Sequence, residues 1–507
     1  MEDVIIAGAG PTGLMLACEL RLAGVEVLVL ERLAELNSES RAGGLHARSV
    51  ELLDQRGIVD RFLEVGSAQP LAHFAFMHLD IQDFPTRHPY ALAIHQSRIE
   101  RLLEERAIEL GVRLRRSAEV IDVRQDETGV EVHIAGAEGT ERLRAGYLVG
   151  CDGGRSVIRK LTGINFPGTP ATLTALLGDV KLTDPPSEII FGPEGRRENG
   201  TFTVFHSEQP GMYRVITMEF DKGTDRAAPV TLKTLSEACA KIAGTDFGMH
   251  SPHRIDRFSD ACRLVAKYRE GRVLLAGDAA HIHFPSSGQG ANLGLQDAVN
   301  LGWKLGTVAR GQAPVELLDT YDTERRLATE RLLSNIRAQT ALWRAGPQVD
   351  ALREVVGTLA GFEDGNRYLG GVISQLDTHY PVGDGHPALG RRMADLDIKS
   401  PSGQVRVFEL LHAARPVLLD FTGRPDLRAA LDGWTDRVDL VEAEPQDDHW
   451  AFPVIGDVPA PAAVLIRPDG HVAWTASADP AGAAALPETD TATLRSALTR
   501  WFGPALV

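Results

Sequence analysis

Near the amino terminus, a glycine-rich turn separates two short apolar segments. The pattern of residues 3–8 (DVIIAG) predicts a buried parallel strand, and residues 12–24 (TGLMLACELRLAG) have helical spacing. Residues 25–31 (VEVLVLE) then predict a second strand. Strand, glycine turn, helix and strand form a βαβ unit, and the start of its helix offers free N–H groups and positive potential to phosphates. The unit predicts an α/β fold with a dinucleotide site at the carboxyl edge of a parallel sheet.

Three glycines and one acidic residue in this unit would bind the dinucleotide. Gly8 permits the tight turn, Gly10 lets a pyrophosphate approach the backbone, and Gly13 lets the helix pack closely on the strand. Glu31 ends the second strand, where a carboxylate can accept hydrogen bonds from both ribose hydroxyls of an adenosine. The same carboxylate would repel a 2′-phosphate. A resident NADP is therefore disfavoured, whereas FAD and NAD are equally compatible with this unit.

Two later segments favour FAD over NAD. Residues 147–163 (YLVGCDGGRSVIRKLTG) predict a strand, an Asp-Gly turn and a helix. Residues 271–306 predict a strand ending at Asp278, a loop, and a long helix from about Ala291. FAD requires a distant second strand, because its ribityl chain and ring extend far from the adenosine. Asp278 could accept a ribityl hydroxyl, and the helix could direct its positive end at the flavin N1/C2 carbonyl, where negative charge collects on reduction.

Together these segments resemble the single-component FAD aromatic hydroxylases of the para-hydroxybenzoate hydroxylase fold. Much of the chain resembles one branch of that family, which includes aromatic polyketide hydroxylases and rifampicin monooxygenases. The resemblance covers nearly the whole chain and is carried by GPTGLMLACELRLAG, GLHARSVELLDQRGI, RHPYALAIHQSRIERLL, YLVGCDGGRS, AGTDFGMHSP, RVLLAGDAAHIHFP and QDAVNLGWKLG. It implies a Rossmann-like FAD-binding domain interleaved with a β-sheet substrate domain.

The resemblance also implies a set of cofactor contacts. The adenosine side would be contacted by Thr12, Glu31, Arg32 and the backbone of Val120; the pyrophosphate and ribityl region by Arg41 and Gln96; and the ribityl chain and ring by Asp278, Ala291 and Asn292. Asp152 and Ser156 match a motif associated with both FAD and a transient NAD(P)H. The predicted cofactor-binding residues are Gly8, Gly10, Thr12, Gly13, Glu31, Arg32, Arg41, Gln96, Val120, Asp152, Ser156, Asp278, Pro285, Gly288, Gly290, Ala291 and Asn292. Two positions depart from the relatives: Ser287, where glycine is frequent, and Ala291, where a larger apolar residue is frequent.

The chain is expected to divide into interleaved and appended domains. The predicted boundaries are 1–175 for the FAD-binding domain (with 70–95 contributing to the substrate domain), 176–265 for the substrate-binding domain, 266–385 for the remaining FAD-binding part and a helical connection, and 386–507 for a C-terminal domain. In that last domain, residues 416–421, 436–444 and 462–476 predict strands, and the unit resembles a thioredoxin-like fold. No cysteine follows Cys262, so dithiol redox chemistry is excluded there.

Composition narrows the remaining classes of function. The net charge of −16 argues against binding to nucleic acid, and no run of eighteen apolar residues predicts a membrane span. The acidic start, MEDVIIAG, predicts no signal peptide, and four scattered cysteines fit a reducing cytoplasm. No cysteine spacing indicates a metal site; His281 and His283 could suggest one, but a structural or substrate-side role is favoured. A homodimer is compatible with the sequence.

Residues 211–220 (GMYRVITMEF) alternate, so that Arg214 shares a strand face with Ile216, Met218 and Phe220. Two interpretations remain open for this lone cation. In the first, Arg214 only extends its charged end to solvent at the end of a strand. In the second, it is a polar anchor for a large, oxygen-rich aromatic substrate lying over the sheet.

The leading functional interpretation is a monooxygenase without a protein nucleophile. NAD(P)H would reduce FAD, molecular oxygen would add at flavin C4a, and the hydroperoxide would transfer its terminal OH to an electron-rich carbon of a polycyclic aromatic substrate. No protein residue is predicted to be catalytic. The alternatives are Baeyer–Villiger or epoxidising oxygenation on the same scaffold, a non-catalytic flavoprotein that binds an aromatic drug, and an NAD-dependent dehydrogenase. The dehydrogenase leaves GDAAHIHFPSSGQGAN unexplained.

Overall fold

The computed structural model describes residues 2–36, 43–136, 139–207, 209–221, 229–401, 403–444, 447–476 and 488–506. Its strands are β1 (Glu2–Ala7), β2 (Val27–Leu30), β3 (Gly44–Leu45), β4 (Ser67–Gln69), β5 (Leu71–Phe74), β6 (Met77–Asp80), β7 (Ala91–Ala93), β8 (Arg113–Arg115), β9 (Glu119–Gln125), β10 (Val130–Gly136), β11 (Gly139–Gly150), β12 (Gly168–Thr169), β13 (Leu173–Leu182), β14 (Arg196–Arg197), β15 (Gly200–His206), β16 (Tyr213–Phe220), β17 (Met249–Ser259), β18 (Cys262–Leu264), β19 (Arg269–Glu270), β20 (Val273–Leu275), β21 (His281–Ile282), β22 (Asp397–Ser400), β23 (Gly403–Arg406), β24 (Val417–Asp420), β25 (Asp439–Glu442), β26 (His449–Phe452), β27 (Gly456–Pro459), β28 (Ala463–Ile466) and β29 (Val472–Thr475). Its helices are α1 (Pro11–Leu22), α2 (Ala47–Asp54), α3 (Val59–Leu63), α4 (Gln96–Glu109), α5 (Val157–Leu161), α6 (Leu232–Ala243), α7 (Gln289–Ala309), α8 (Asp319–Leu342), α9 (Pro347–Ala360), α10 (Glu363–Ser374), α11 (Val407–Leu410), α12 (Pro425–Ala430) and α13 (Glu488–Phe502).

The amino-terminal βαβ unit lies in the middle of a large sheet. Parallel pairing gives the strand order β20-β11-β1-β2-β8, with antiparallel β19 at one edge and the β9–β10 meander attached to β11. Val4, Ile5 and Ile6 are consecutive and fully buried, so β1 is covered on both faces. Helix α1 packs against α7. The predicted parallel α/β architecture is therefore confirmed.

A second, antiparallel sheet has the strand order β14-β15-β16-β13-β17. Alternate residues of its strands point to opposite faces. Val215 and Leu176 pack with α6 on one face, whereas Met218 and Ala175 on the other face join the core shared with the large sheet. The predicted strand within 211–220 is observed as β16. This second face therefore lies towards the βαβ unit.

The hairpin formed by β5 and β6 belongs to neither large sheet. Ala75 and Phe76 form its turn, and both have positive φ angles, 49° and 67°. Glycine, asparagine or aspartate usually occupies such positions, because a larger side chain is strained there. The main chain of Ala75 is held on both sides: its N–H donates to Oε1 of Gln339 at 3.1 Å, and its carbonyl accepts from Nη1 of Arg353 at 2.9 Å. Helices α8 and α9 thus hold the turn in place.

The carboxyl-terminal unit contains a mixed sheet of order β25-β24-β28-β29, flanked by α12 and α13. The strands expected within 416–421, 436–444 and 462–476 are observed as β24, β25 and the hairpin β28–β29. The thioredoxin-like character of this unit stays a prediction. In the part of the chain that the structure describes, no helix is both long enough and apolar enough to span a bilayer.

Candidate functional site

The turn between β1 and α1 is built for close backbone approach. Gly8 has a φ of +107°, and a Cβ placed on it would lie 2.4 Å from the carbonyl oxygen of Cys151. A Cβ on Gly13 would lie 2.0 Å from the carbonyl oxygen of Gly8. A Cβ on Gly10, by contrast, would meet no atom within 4 Å. Gly8 and Gly13 are therefore required by the fold itself, while Gly10 faces open space and its contact with a pyrophosphate stays a prediction.

Glu31 connects the end of β2 to this turn. Its Oε2 accepts a hydrogen bond from the Ala9 N–H at 2.8 Å, and its Oε1 accepts one from the Leu33 N–H at 2.9 Å. Each carboxylate oxygen can accept a second hydrogen bond, so both remain able to receive a ribose hydroxyl. Arg32 is exposed beside it, and the predicted Arg41 lies outside the described residues.

Two further predicted contacts lie on neighbouring elements. Gln96 begins α4, and its Nε2 donates to Oε1 of Glu100 at 2.7 Å. Val120 is buried in β9. The structure thus brings Val120 to the sheet that carries Glu31, whereas the cofactor contacts of Gln96 and Val120 stay predictions.

Asp152 and Ser156 together cap helix α5. Oδ2 of Asp152 accepts from the Val157 N–H at 2.6 Å, Oδ1 accepts from Oγ of Ser156 at 2.5 Å, and Oγ of Ser156 accepts from the Arg159 N–H at 2.9 Å. Nη1 of Arg159 donates to the carbonyl of Ala279 at 2.7 Å. The pair therefore positions α5, and through Arg159 it also holds the loop that carries Asp278. A direct contact with FAD or NAD(P)H stays a prediction.

A buried carboxylate that the sequence reasoning did not single out, Asp297 on α7, supports the loop after β20. Its Oδ2 accepts from the Gly277 N–H at 2.9 Å and lies 2.7 Å from Nε2 of His281, and its Oδ1 accepts from Nε of Arg325 at 2.7 Å. Burial acts to raise the pKa of Asp297, but Arg325 and His281 hold that pKa below its usual value.

Asp278 lies on the loop that Asp297 supports. It is exposed and makes no hydrogen bond to the described residues, so its carboxylate is available to a ligand.

The two histidines of this loop point to different partners. His281 is bound to Asp297, and Nδ1 of His283 lies 2.7 Å from the carbonyl oxygen of Phe284. Among the described residues, no group of three or more His, Cys, Asp or Glu side chains could hold a metal ion. His281 therefore has a structural role in this loop.

The chain enters α7 through two residues in the left-handed region. Ser287 has φ 53° and Gly288 has φ 65°, and no side chain caps the helix at Gly288. The first N–H groups of this 21-residue helix consequently have no partner within the helix, and its start carries positive potential. Ser287 thus occupies a left-handed conformation that favours glycine. Pro285 lies exposed just before this bend, and a Cβ on Gly290 would approach His283 to 3.5 Å.

Asn292, in the first turn of α7, is fully buried and bound to protein. Its Oδ1 accepts from the His46 N–H at 2.7 Å, and its Nδ2 donates to the carbonyls of Gly288 at 3.0 Å and Gly44 at 3.3 Å. Both side-chain donors are therefore engaged in joining segment 43–46 to the helix. A flavin contact at Asn292 or Ala291 would use the backbone.

Thr12 is the point at which the two halves of the predicted cofactor site meet. A Cβ on Gly277 would lie 2.6 Å from its Oγ1, and a Cβ on Gly294 would lie 2.2 Å from it. Thr12 therefore packs between the Asp278 loop and α7. The glycine turn, the Asp278 loop and α7 consequently lie on neighbouring elements, and their contacts with a cofactor stay predictions.

Next to the bend at Ser287 lies a set of aromatic side chains, hereafter the aromatic cluster: His73, Phe76, Phe191, Phe284 and Trp343. Phe76 stacks on Trp343 with 4.7 Å between ring centroids and on His73 with 5.7 Å, and Phe191 meets Phe76 edge-on at 5.4 Å. Phe284 meets Trp343 edge-on at 5.2 Å. Phe191 is 52% exposed, so the cluster reaches solvent at that end. Such surfaces suit a flat aromatic ligand.

The structure gives Arg214 a partner that neither sequence interpretation included. Its Nε and Nη2 donate to the two carboxylate oxygens of Asp179, each at 2.9 Å, and Oγ of Ser207 donates to the same carboxylate at 2.8 Å. Arg214 and Asp179 are directly opposite on β16 and β13, with side chains only 14% and 5% exposed. Burial acts to raise the pKa of Asp179, but Arg214 and Ser207 hold that pKa below its usual value. The substrate-anchor role of Arg214 stays a prediction.

Comparisons with known proteins bear on this arrangement. A family model described as an FAD binding domain matches residues 1–336, and one described as aromatic-ring hydroxylase, C-terminal, matches residues 386–505. The chain belongs to the FAD-dependent aromatic-ring hydroxylases. It is an enzyme of the flavin monooxygenase class, and FAD is the cofactor of this family.

The similarity of this hydroxylase to its relatives extends over the full chain. It is 46% identical to a 12-dehydrotetracycline 5-monooxygenase/anhydrotetracycline 6-monooxygenase of Streptomyces rimosus, with 99% of each chain covered. It is 44% identical to a rifampicin monooxygenase of Streptomyces venezuelae, with 100% of this chain and 99% of the relative covered. The solved structure of the anhydrotetracycline hydroxylase OxyS from Streptomyces rimosus superposes with a TM-score of 0.88 at 45% identity, covering both chains completely. A dialkyldecalin synthase of Streptomyces rugosporus is 40% identical, with 99% of each chain covered.

Proposed function

We propose that this protein hydroxylates a polycyclic aromatic compound of polyketide type. The reaction would consume NAD(P)H and molecular oxygen: ArH + O₂ + NAD(P)H + H⁺ gives ArOH + NAD(P)⁺ + H₂O. One observation carries the proposal: the uncapped start of α7, which follows the bend at Ser287, lies beside the aromatic cluster. The printed activities of the tetracycline and rifampicin relatives support the same substrate class.

The residues of this site fit FAD. The open space at Gly10 would receive the pyrophosphate, Glu31 the ribose hydroxyls and Asp278 a ribityl hydroxyl, while the first N–H groups of α7 would face the flavin ring. Bound FAD would supply the redox chemistry and the activation of oxygen. The positive end of α7 would stabilise negative charge that develops beside it.

The protein's own contribution to the reaction is orientation and the exclusion of water. Phe76 and Trp343 stack on each other, and the exposed Phe191 beside them presents the apolar surface against which a substrate ring would lie. Phe284 is buried beneath them, next to the bend into α7. A dry, shaped site of this kind protects a reactive oxygen species from collapse in water. No protein nucleophile is required, so the oxygenated carbon would be set by how the substrate lies on the cluster.

One relative, the dialkyldecalin synthase, is named for a reaction other than oxygenation. The deciding measurement uses the purified flavin-loaded protein with anhydrotetracycline, rifampicin and a set of hydroxylated naphthacenes and anthraquinones. We expect at least one compound to stimulate oxidation of NADPH or NADH and to gain a single ¹⁸O atom from ¹⁸O₂. Product that forms without oxygen uptake, or no stimulated oxidation with any of them, would contradict the proposal. Ring-expanded or epoxide products would instead identify Baeyer–Villiger or epoxidising chemistry.

A further inference from the structure

His73 on β5 has one ring nitrogen bound to protein and one that is not. Its Nδ1 lies 3.4 Å from Oγ of Ser287, in the bend that precedes α7. Its Nε2 makes no hydrogen bond to the described residues. The ring is stacked on Phe76, with 13° between the two planes, and Phe191 meets it edge-on at 6.4 Å. An imidazole edge with one unbound nitrogen therefore lies within the aromatic cluster.

The hydrogen bonds of Ser287 determine which nitrogen of His73 carries the proton. Oγ of Ser287 lies 2.8 Å from Oε1 of Gln339 and 3.2 Å from the carbonyl oxygen of His73, and both of these oxygens can only accept. The single hydroxyl proton of Ser287 is thus directed to one of them and not to Nδ1. Nδ1 must then donate to Oγ of Ser287. In a neutral ring this leaves Nε2 without a proton, as an acceptor.

The ring is neutral near pH 7. Burial, together with the neighbouring His46, lowers the pKa of His73 to about 4. The strained turn at Ala75 and Phe76 fixes the ring's surroundings, because a bulky residue keeps a positive φ only where the surrounding structure enforces it. Here Gln339 and Arg353 enforce it. His73 is therefore a positioned, neutral acceptor in an otherwise apolar surface.

We propose that Nε2 of His73 accepts a hydrogen bond from a phenolic hydroxyl of the aromatic substrate. This inference rests on the proposed function and names the group that the site recognises. A substrate ring lying against the exposed Phe191 would present a hydroxyl at its edge, towards the imidazole of His73, whose plane is at 83° to that of Phe191 with 6.4 Å between ring centroids. A hydroxyl that donates to nitrogen also makes the carbons ortho and para to it more electron-rich. His73 would thus both orient the ring and favour its oxygenation.

The test compares two probes that differ in one substituent: 2-hydroxyanthraquinone, whose hydroxyl can donate a hydrogen bond, and 2-methoxyanthraquinone, whose methoxy group cannot. Their dissociation constants for the flavin-loaded protein are measured by the change in flavin absorbance. We expect the wild type to prefer the hydroxyl probe about tenfold, as for one hydrogen bond in a buried site. His73→Phe should bind both probes equally, and His73→Gln, which keeps an acceptor, should retain part of the preference. His78→Phe is the matched control: His78 is the exposed cross-strand neighbour of His73 on β6, and its loss should leave the preference unchanged.

A measurement without any probe tests the same assignment independently. In protein labelled with ¹⁵N-histidine, the signals lost in His73→Phe identify the His73 ring, and we expect the tautomer protonated at Nδ1 at pH 7. Protonation at Nε2, or a preference for the hydroxyl probe that survives in His73→Phe, would overturn the role of His73. If the wild type binds neither anthraquinone, the proposed substrate class fails, while the tautomer still decides the state of His73.

Discussion

At the scale of single residues, two aspartates of the same segment have different roles because one is buried and the other is exposed. Asp297 is completely buried and bound by His281, Arg325 and a backbone N–H, so it is committed to holding the loop. Asp278 lies on that loop with an exposed carboxylate. A carboxylate whose oxygens are bound to protein supports the structure, whereas an exposed carboxylate without a protein partner can bind a ligand. The structure therefore favours Asp278 over Asp297 as the cofactor contact.

Replacing Asp278 with alanine should weaken FAD binding and leave the fold intact. A hydrogen bond to a charged group is worth about 1.5–3 kcal/mol, which corresponds to roughly a 10- to 100-fold higher dissociation constant for FAD. The constant is measured by titrating deflavinated protein with FAD. Asp184→Ala, at an exposed aspartate after β13, serves as the control and should bind FAD like the wild type. An unchanged constant in Asp278→Ala would remove this residue from the site.

The Arg214–Asp179 pair yields a second residue-scale prediction. Arg214→Met should destabilise the protein by about 3 kcal/mol, because it leaves the Asp179 carboxylate buried without its cation. Arg214→Met combined with Asp179→Asn should recover part of that loss, as seen in denaturant unfolding. If the pair is purely structural, the KM of the double variant returns towards that of the wild type. A KM that stays about tenfold higher in both variants would instead establish Arg214 as a substrate anchor.

At the scale of elements, the β1–α1 turn uses chemically identical glycines for different purposes. Gly13 gives the space that α1 needs to cross the turn, since a Cβ there would penetrate the Gly8 carbonyl. Gly10 begins the helix with a φ of −75°, which any L-residue can adopt, and it faces open space. Gly13 is thus required by packing, whereas the packing of the fold places no such requirement on Gly10.

Alanine at these two positions should therefore have different consequences. Gly13→Ala should lower the melting temperature of the deflavinated protein, because backbone must shift by more than an ångström. Gly10→Ala should melt like the wild type but bind FAD at least about tenfold more weakly, since the methyl group occupies the proposed pyrophosphate space. Circular dichroism melts and FAD titrations separate the two effects. Normal FAD binding by Gly10→Ala would mean that the pyrophosphate does not lie there.

At the scale of the whole molecule, buried charges join the carboxyl-terminal unit to α7 and α8. Nη1 and Nη2 of Arg467, between β28 and β29, donate to Glu324 on α8 at 2.6 and 2.9 Å, and Glu324 also binds Nζ of Lys304 on α7 at 2.7 Å. Burial and its ion pairs act in opposite directions on Glu324, and Arg467 and Lys304 lower its pKa to about 2. The carboxyl-terminal unit is thus a fixed support of α7 and not a separately tethered domain.

Breaking this junction should destabilise the whole enzyme. Arg467→Met leaves Lys304 as the remaining cation beside the buried Glu324 and removes the arginine partner of the buried Asp469. Removal of one member of a buried pair costs about 3–5 kcal/mol. Arg428→Met provides the matched control, because its pair with Glu442 is largely exposed and worth less than about 1 kcal/mol. Both free energies come from denaturant unfolding of the flavin-loaded protein. A loss in Arg467→Met as small as that in the control would show that the junction is not needed for stability.

Local patterns in the sequence determined the elements, and tertiary structure decided the partners. The βαβ unit, strand β16 and the strands β24, β25, β28 and β29 follow from periodicity and turn residues within short windows, so they could be predicted. The roles of Gly8 and Gly13 in the turn could also be predicted, because the atoms they contact lie close along the chain or next to the paired strand.

The remaining features depend on groups that are distant in sequence. Three hydrogen-bonded pairs are far apart along the chain: Asp179 and Arg214 by 35 residues, His73 and Ser287 by 214, and Arg467 and Glu324 by 143. No local sequence pattern predicts such contacts, because they form only when the sheets and helices pack together. The tertiary structure decides whether a charged side chain is already paired or is free to bind a ligand. The glycine turn depends on local sequence and could be predicted. The ion pair of Arg214 with Asp179, and the assignment of Nε2 of His73 as a hydrogen-bond acceptor, could be obtained only from the folded chain.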